Sequence, residues 1–314
     1  MAIESSSAPK WAQAVAADVI GMRVLIVNLF FIGEPNIPTG WVLVDAGVGP
    51  CANQIVRAAE ERFGAGARPE AIILTHGHFD HVGAVKELAA RWNVPVYAHT
   101  MELPYLTGQA DYPPPDPTVG GGGAMAWLSF LYPRRGINLG QRVQALSNDG
   151  SVPHLPEWRF IHTPGHTPGH ISLFRERDGV LLAGDAIITT NQESALAVLT
   201  QRPEVRRPPA YFTINWPETR RSVETLAALQ PNVLATGHGQ PMSGAAMQAH
   251  VQQLARDFDR IGLPTHGRYV ADPVIADERG IVHAPTAQSP LLKIAVGAVL
   301  AALALRLVRR RHKA

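Results

Sequence analysis

A loop that is dense in metal-binding side chains is the most constraining feature of the sequence. The stretch THGHFDH holds three histidines and one aspartate within six residues, directly after an apolar run that predicts a buried strand. Neutral imidazole and carboxylate are common protein ligands of Zn²⁺ and neighbouring transition metals. His76 and His78, two residues apart, can reach one ion, whereas Asp80 and His81 lie further along and would serve a second. The pattern predicts a metal site and disfavours a solvated histidine-rich loop.

The stretch Thr75–His81 resembles the HxHxDH signature of the metallo-β-lactamase superfamily, whose members are mostly binuclear metallohydrolases. Downstream segments are similar to the remaining ligand loops of that family, in the same order: Phe160–Ser172, Leu181–Ala186 and Ala235–Pro241. The matching motifs span about residues 22–262. The resemblance is specific for the superfamily but not for a substrate, and it implies an α/β fold, a four-layer αββα sandwich.

The resemblance also implies two divalent metal ions. It assigns His76, His78 and His166 to the first ion, and Asp80, His81 and His238 to the second, with Asp185 between them. Zn²⁺ is the expected metal, with iron and manganese as alternatives. In the family an aspartate at the position of Asp45 commonly orients a ligand imidazole. The alternative for Asp45 is a turn residue that bonds its own backbone.

Hydrolysis of a small molecule is the activity that the resemblance implies. A metal-bound hydroxide would attack an ester, thioester, lactone or amide bond, and the ions would stabilise the oxyanion. Asp80, besides binding metal, would orient the nucleophile or return a proton to the leaving group. No separate Ser-His-Asp or Cys-His motif is present to suggest another nucleophile.

Two other functions are compatible with these residues. Some superfamily members, resembling persulfide dioxygenases, hold a single iron at positions that match His76, His166 and Asp185. The other alternative is a non-catalytic metal-binding module. Within the hydrolases, a thioesterase resembling glyoxalase II would use basic residues to grip a glutathione carboxylate, and the candidates are Arg202, Arg206 and Arg207. A lactonase would need an apolar acyl channel.

One catalytic domain is expected, because 314 residues with 46% hydrophobic content can bury a large core. The predicted segments are an N-terminal extension (1–21), the catalytic domain (22–262), a loose linker (263–289) and an apolar tail helix with a basic end (290–314). The first 17 residues predict a frayed end or a short helix and do not resemble a secretory signal.

Residues 103–140 predict an insertion between the first two ligand loops. A proline-rich run leads to four consecutive glycines, Gly120–Gly123, and an apolar segment that contains Trp127, Phe130 and Tyr132 follows. A hinge beside an apolar flap is typical of a lid that covers a site. The alternative is a surface insertion whose aromatic residues pack on the body or on a second subunit.

Several residues near the motifs resemble ligands or have more than one possible role. His99 and His162 are expected to be structural, and His170, four residues after His166, is more often a non-ligand in the family. Tyr211 could polarise a substrate carbonyl, although a packing role is the more common one. Cys51 is the only cysteine, so no intrachain disulfide can form, and a reducing, cytoplasmic compartment is expected.

The C-terminal tail predicts a membrane contact. Residues 291–308 are apolar apart from Lys293 and Arg306, so a membrane-inserted helix is one prediction and packing against a partner or the body is another. Five of the 28 basic residues and none of the 26 acidic ones lie beyond residue 305. The remaining body is slightly acidic, which disfavours a nucleic-acid substrate.

Overall fold

Two β-sheets face each other at the centre of the fold. The computed structural model describes residues 11–286. Within this range the first sheet has seven strands in sequence order: β1 Ala12–Ala16, β2 Val19–Val24, β3 Val27–Ile32, β4 Val42–Val44, β5 Ala71–Ile73, β6 Val96–Ala98 and β7 Val143–Ala145. Strands β1 to β4 pair antiparallel and β4 to β7 pair parallel. The sheet is therefore mixed.

The second sheet has five strands and is also mixed. Its members are β8 Trp158–His162, β9 Ile171–Arg175, β10 Val180–Leu182, β11 Val233–Ala235 and β12 Met242–Ser243, in the spatial order β12-β11-β10-β9-β8. Only the pair of β10 and β11 is parallel among these. A separate hairpin joins β13 Ile275–Asp277 to β14 Gly280–His283.

Helices complete the described part of the chain. They are α1 Ala52–Phe63, α2 Val85–Trp92, α3 Leu103–Leu106, α4 Gly123–Leu128, α5 Ala195–Thr200, α6 Trp216–Ala228, α7 Gly244–Arg256, α8 Phe258–Ile261 and α9 Arg268–Ala271. Short 3₁₀ turns lie at Thr100–Glu102, Ser129–Leu131 and Gly140–Arg142. An apolar residue at each of Val85, Leu88, Ala89 and Trp92 follows a 3.6-residue period and predicts an amphipathic helix. These four residues are the buried face of α2.

Alternation of side chains along the strands separates three apolar cores. In β3, Phe31 packs with α1 and α2, while Phe30 and Ile32 point to the opposite face and pack with residues of β9 and β10. The outer face of the second sheet packs on α6 and α7. Strands β3, β4 and β5 are buried on both faces of the sheet. This explains why their sequences are almost continuously apolar. The layers follow the order helix, sheet, sheet, helix.

The predictions for the N-terminal region are corrected in two places. Residues 12–16 are neither frayed nor helical, because β1 pairs with β2 and extends the first sheet. The apolar run Val24–Ile32 predicts a single strand, but a tight turn at Leu25 and Ile26 interrupts it and joins β2 to β3. Leu25 adopts a φ of 56°, and neither residue is a usual turn former, so the sequence contains no signal for this hairpin.

The loose linker predicted over 263–289 is wrong for most of its length. It contains α9 and the β13–β14 hairpin, and all of these belong to one compact unit that ends at Ala284. Tyr269 is fully buried in the core of the second sheet, and the Val274 amide donates to the Ile214 carbonyl at 2.9 Å. This segment therefore belongs to the same compact unit as the two sheets.

The predicted tail helix lies outside the described residues, as does the membrane contact predicted for 291–308. Over residues 11–286, no helix combines the length and the apolar character that crossing a bilayer requires.

Candidate metal centre

The ligand loops meet at one edge of the two sheets. The loop 75–81 follows β5, the loop with His166 joins β8 to β9, Asp185 follows β10, and His238 follows β11. Because β10 and β11 run parallel in register, with Leu182 opposite Ala235, the residues that follow them emerge side by side. All seven predicted ligands are brought together, and each is at most 8% exposed.

The first group consists of three imidazoles. His76 Nε2 lies 3.1 Å from His78 Nδ1, and this atom lies 3.0 Å from His166 Nε2. Ligand nitrogens around a tetrahedral Zn²⁺, each about 2.0–2.1 Å from the ion, are separated by about 3.3 Å. The three rings therefore converge as ligands of one ion would.

The second group consists of Asp80, His81 and His238. His238 Nε2 lies 3.5 Å from Asp80 Oδ2. Asp185 lies between the two groups, since its Oδ2 is 3.1 Å from His238 Nε2 and 3.5 Å from His166 Nε2, while its Oδ1 is 3.5 Å from His81 Nε2. One carboxylate thus contacts ligands of both groups.

The donor atoms fit bound divalent metal. His81 Nε2 and Asp185 Oδ1 are buried without any hydrogen-bond partner, although they face each other. An unpaired buried polar atom costs about 1–3 kcal/mol, and a bound cation would satisfy both atoms at once. Five imidazoles and two carboxylates are also a donor set that suits zinc and iron.

Asp45 orients two of the ligand rings. Its Oδ2 accepts a hydrogen bond from His81 Nδ1 at 2.8 Å and another from Thr75 Oγ1 at 2.8 Å. Since Thr75 Oγ1 donates to Asp45, it accepts from His76 Nδ1 at 3.0 Å. In the neutral form of each ring the proton then lies on Nδ1, which leaves Nε2 to bind metal. The role in orienting an imidazole is the one that these contacts support, over that of a turn residue.

The third oriented ring is His238. Its Nδ1 donates to the Ile26 carbonyl at 2.7 Å, so the unpredicted turn between β2 and β3 supplies a contact of the site. Asn28, two residues further, clamps the same loop: its side-chain amide donates to the carbonyls of Thr236 at 2.8 Å and Gly239 at 2.6 Å. Sequence reasoning missed both residues, and neither lies in a motif.

We expect Asp45→Asn to weaken metal binding by about 10- to 100-fold, because a ligand ring would lose its orienting carboxylate. Asparagine tolerates the left-handed φ of 60° at this position, so the substitution should not change metal affinity through backbone strain. Competition with a chromogenic chelator measures the affinity. Asp149→Asn, on an exposed turn, is the matched control. Equal affinities for wild type and Asp45→Asn would contradict the orienting role.

Burial controls the protonation of the first group. It lowers the pKa of His76, His78 and His166, to about 3 for His78. These rings are neutral at pH 7 and present free lone pairs. Burial also opposes a charge on His81, but the carboxylates of Asp185 and Asp45 outweigh it and raise its pKa well above the ordinary value. An ion taken up beside His81 would therefore displace a proton.

His170 and His99 are outside the ligand groups found in the described residues. His170 Nε2 accepts a hydrogen bond from the Asp185 amide at 2.8 Å, and its Nδ1 lies 2.9 Å from Thr163 Oγ1, so this ring holds the loop of the bridging carboxylate. His99 stacks on His162 with ring centroids 4.0 Å apart. The expected structural role of His99 agrees with this packing.

Glu102 ties the first two ligand loops together, and nothing in its sequence context predicted this. Its Oε2 accepts from the Gly77 amide at 2.9 Å and from the Tyr112 hydroxyl. Its Oε1 accepts from Thr167 Oγ1 at 2.7 Å and from the Gly169 amide at 2.8 Å. Glu102 is fully buried, so these four donors replace the water that the carboxylate has lost.

A narrow cavity of about 30 Å³ opens onto the candidate ligands. Such a volume holds one or two water molecules. Its wall contains His78, Asp80, His166, Asp185 and His238, and otherwise the residues Ile26, Phe79, Met125, Tyr132, Gln192, Pro209, Tyr211 and Phe212. Met125 and Tyr132 come from the insertion, which therefore lies over the site. Trp127, Phe130 and Leu131 are 63%, 48% and 66% exposed, so they do not pack on the body.

Comparison with known proteins agrees with this geometry. The family model of the metallo-β-lactamase superfamily matches residues 22–238. The chain is 50% identical over 246 residues to the probable metallo-hydrolase YflN of Bacillus subtilis, covering 78% of this chain and 93% of that relative. It is 30% identical over 116 residues to the hydroxyacylglutathione hydrolase GloC of Haemophilus influenzae, covering 37% and 49% of the two chains.

Solved structures resemble the same part of the chain. A metallo-β-lactamase family protein from Thermus thermophilus has a TM-score of 0.52 at 23% identity, over 78% of this chain and 81% of that one. A β-lactamase domain protein from Burkholderia ambifaria has a TM-score of 0.53 at 21% identity, over 81% and 75%. At these identities the likeness concerns the fold alone.

Proposed function

Since the chain belongs to the metallo-β-lactamase superfamily, we propose that it is a hydrolase with two divalent metal ions in this cluster. The observation that carries the proposal is the position of Asp185 between two complete ligand groups. His76, His78 and His166 would hold one ion and Asp80, His81 and His238 the other, with Asp185 shared. The substrate class is an ester, thioester, lactone or amide of a small molecule.

Two bound cations would lower the pKa of a water molecule towards 7 and polarise the carbonyl oxygen of the substrate. Asp80 would accept and return the proton. Its carboxylate lines the cavity and, at 8%, is the most exposed of the seven candidate ligands. It can accept a proton as the attack begins and return it to the leaving group.

Aromatic side chains would keep bulk water away from the reacting carbonyl. Phe79, Phe212 and Tyr132 pack on one another with ring centroids 5.8 to 6.3 Å apart, and all three line the cavity. The cavity is too small for a substrate beyond a few atoms, so entry requires the insertion to move. Gly121 and Gly123, both at positive φ, flank the start of α4 and are suited to the hinge of such a lid.

No contact favours the single-iron dioxygenase over the hydrolase. The residues that such an enzyme would need, His76, His166 and Asp185, are present, but the same cluster continues into a second group with Asp80. A non-catalytic module would not require a cavity that opens onto five of the seven candidate ligands.

Metal analysis combined with activity screening tests the proposal. We expect two metal ions per chain, and hydrolysis of at least one member of a panel of thioesters, lactones and β-lactams. A chelator should abolish the activity and Zn²⁺ should restore it. One iron per chain together with oxygen consumption would overturn the proposal, as would full activity after the chelator.

A further inference from the structure

Gln192 is a buried polar residue in the cavity wall that the mechanism does not use. It is 1% exposed, its Oε1 has no hydrogen-bond partner, and it lines the cavity together with Asp80 and Asp185. A buried amide oxygen without a partner costs about 1–3 kcal/mol. A group of this kind points to a ligand that completes its hydrogen bonds.

The rest of the wall limits the chemistry of that ligand. Among the described residues that line the cavity, none is lysine or arginine. Of the arginines predicted to grip a carboxylate, Arg207 is buried in an ion pair with Glu193 at 2.5 Å and Arg206 pairs with Glu204 at 2.9 Å. The uncharged polar groups of the wall include the Gln192 amide and the hydroxyls of two tyrosines, Tyr132 and Tyr211. Apart from the proposed metal ions, the wall would therefore recognise a substrate through uncharged polar groups.

We propose that Gln192 determines substrate specificity: it recognises an acyl compound that carries an N–H or O–H donor near the reacting carbonyl. The Oε1 atom accepts this hydrogen bond, and the aromatic wall contacts the apolar part of the acyl group. The inference rests on the proposed hydrolase function. It adds the hydrogen-bonding group of the substrate that the site selects.

Gln192→Leu separates recognition from folding. Leucine has a similar size, and it removes an unpaired buried amide, so the variant should melt at or above the wild-type temperature. The matched control is Gln201→Leu. Gln201 is also buried and its Oε1 is also unpartnered, but it does not line the cavity.

The test uses three p-nitrophenyl esters of equal chain length: an unsubstituted acyl ester, a 3-hydroxyacyl ester and an N-acylglycine ester. For Gln192→Leu we expect kcat/KM to fall about tenfold on at least one donor-bearing ester, and less than twofold on the unsubstituted one. Gln201→Leu should change all three by the same factor. Equal losses on all three esters in Gln192→Leu would overturn the inference.

Binding of the corresponding methyl ketones, measured by calorimetry on the metal-loaded protein, keeps the inference separate from hydrolysis. If the wild-type protein hydrolyses none of the esters, these compounds are not its substrates. The role of Gln192 is then tested by the binding of the ketones alone. A loss of about tenfold in affinity for a donor-bearing ketone only, in Gln192→Leu, supports the role. Unchanged affinities for all the ketones would overturn it.

Discussion

Asp80→Ala should keep its fold and lose hydrolysis by a factor on the order of 10³. Asp80 is the carboxylate of the second ligand group, and it also faces the cavity, where it would handle the proton. Stabilisation of transition-state charge by a metal ion contributes several kcal/mol, and each 1.36 kcal/mol corresponds to tenfold in rate. Steady-state kcat/KM measures the loss of activity. Elemental analysis of the same sample measures any loss of bound metal.

Asp259→Ala is the matched control for Asp80→Ala. Asp259 lies on α8, its side chain is 66% exposed, and it pairs only with surface Arg220 among its described contacts. This variant should retain kcat/KM within twofold and the full metal content. If Asp80→Ala kept more than a tenth of the wild-type kcat/KM at normal metal content, Asp80 would have neither proposed role.

Glu102→Ala should lower the free energy of unfolding of the metal-free protein by about 3–5 kcal/mol, because four buried donors would lose their acceptor. Two of these donors are the amides of Gly77 and Gly169, which lie in the loops of His76, His78 and His166. The first metal ion should bind more weakly for the same reason. Urea unfolding of the chelated protein gives the stability, and chelator competition gives the affinity.

Two further variants divide the effect of Glu102. Tyr112→Phe removes one hydroxyl that donates to the carboxylate and should cost about 1 kcal/mol. Glu102→Gln keeps the shape of the side chain, but its NH₂ group must face two hydrogen-bond donors. The loss in unfolding free energy should therefore lie between those of Tyr112→Phe and Glu102→Ala. An unfolding free energy for Glu102→Ala within 1 kcal/mol of wild type would show that the two loops are held by other contacts.

The sequence predicts the parts of the site where chemistry is concentrated in short segments. All seven candidate ligands follow strands or lie between them, because strand ends place polar loops at an edge of a sheet. The family resemblance implies the orienting role of Asp45, which also follows a strand, β4. The buried face of α2 follows from a regular apolar period, which depends only on neighbours along the chain.

The parts that the sequence does not predict depend on contacts between distant residues. Glu102 lies 25 residues from Gly77 and 67 from Gly169, so its role exists only after the loops have met. The turn at Leu25 and Ile26 contains no glycine, asparagine or aspartate, and its conformation is imposed by the pairing of β2 with β3. Gln192 does not lie in a recognisable motif, and its burial depends on the other residues of the cavity wall.

The division of the ligands between the two sheets has a thermodynamic consequence. Each proposed ion takes two side chains from the loop after β5 and one histidine from a loop of the second sheet. Each ion would then be a cross-link between the halves of the sandwich, and its binding energy would add to the cohesion of the native state. Metal supply would thereby set how long the protein survives heat and proteases, in addition to whether it reacts.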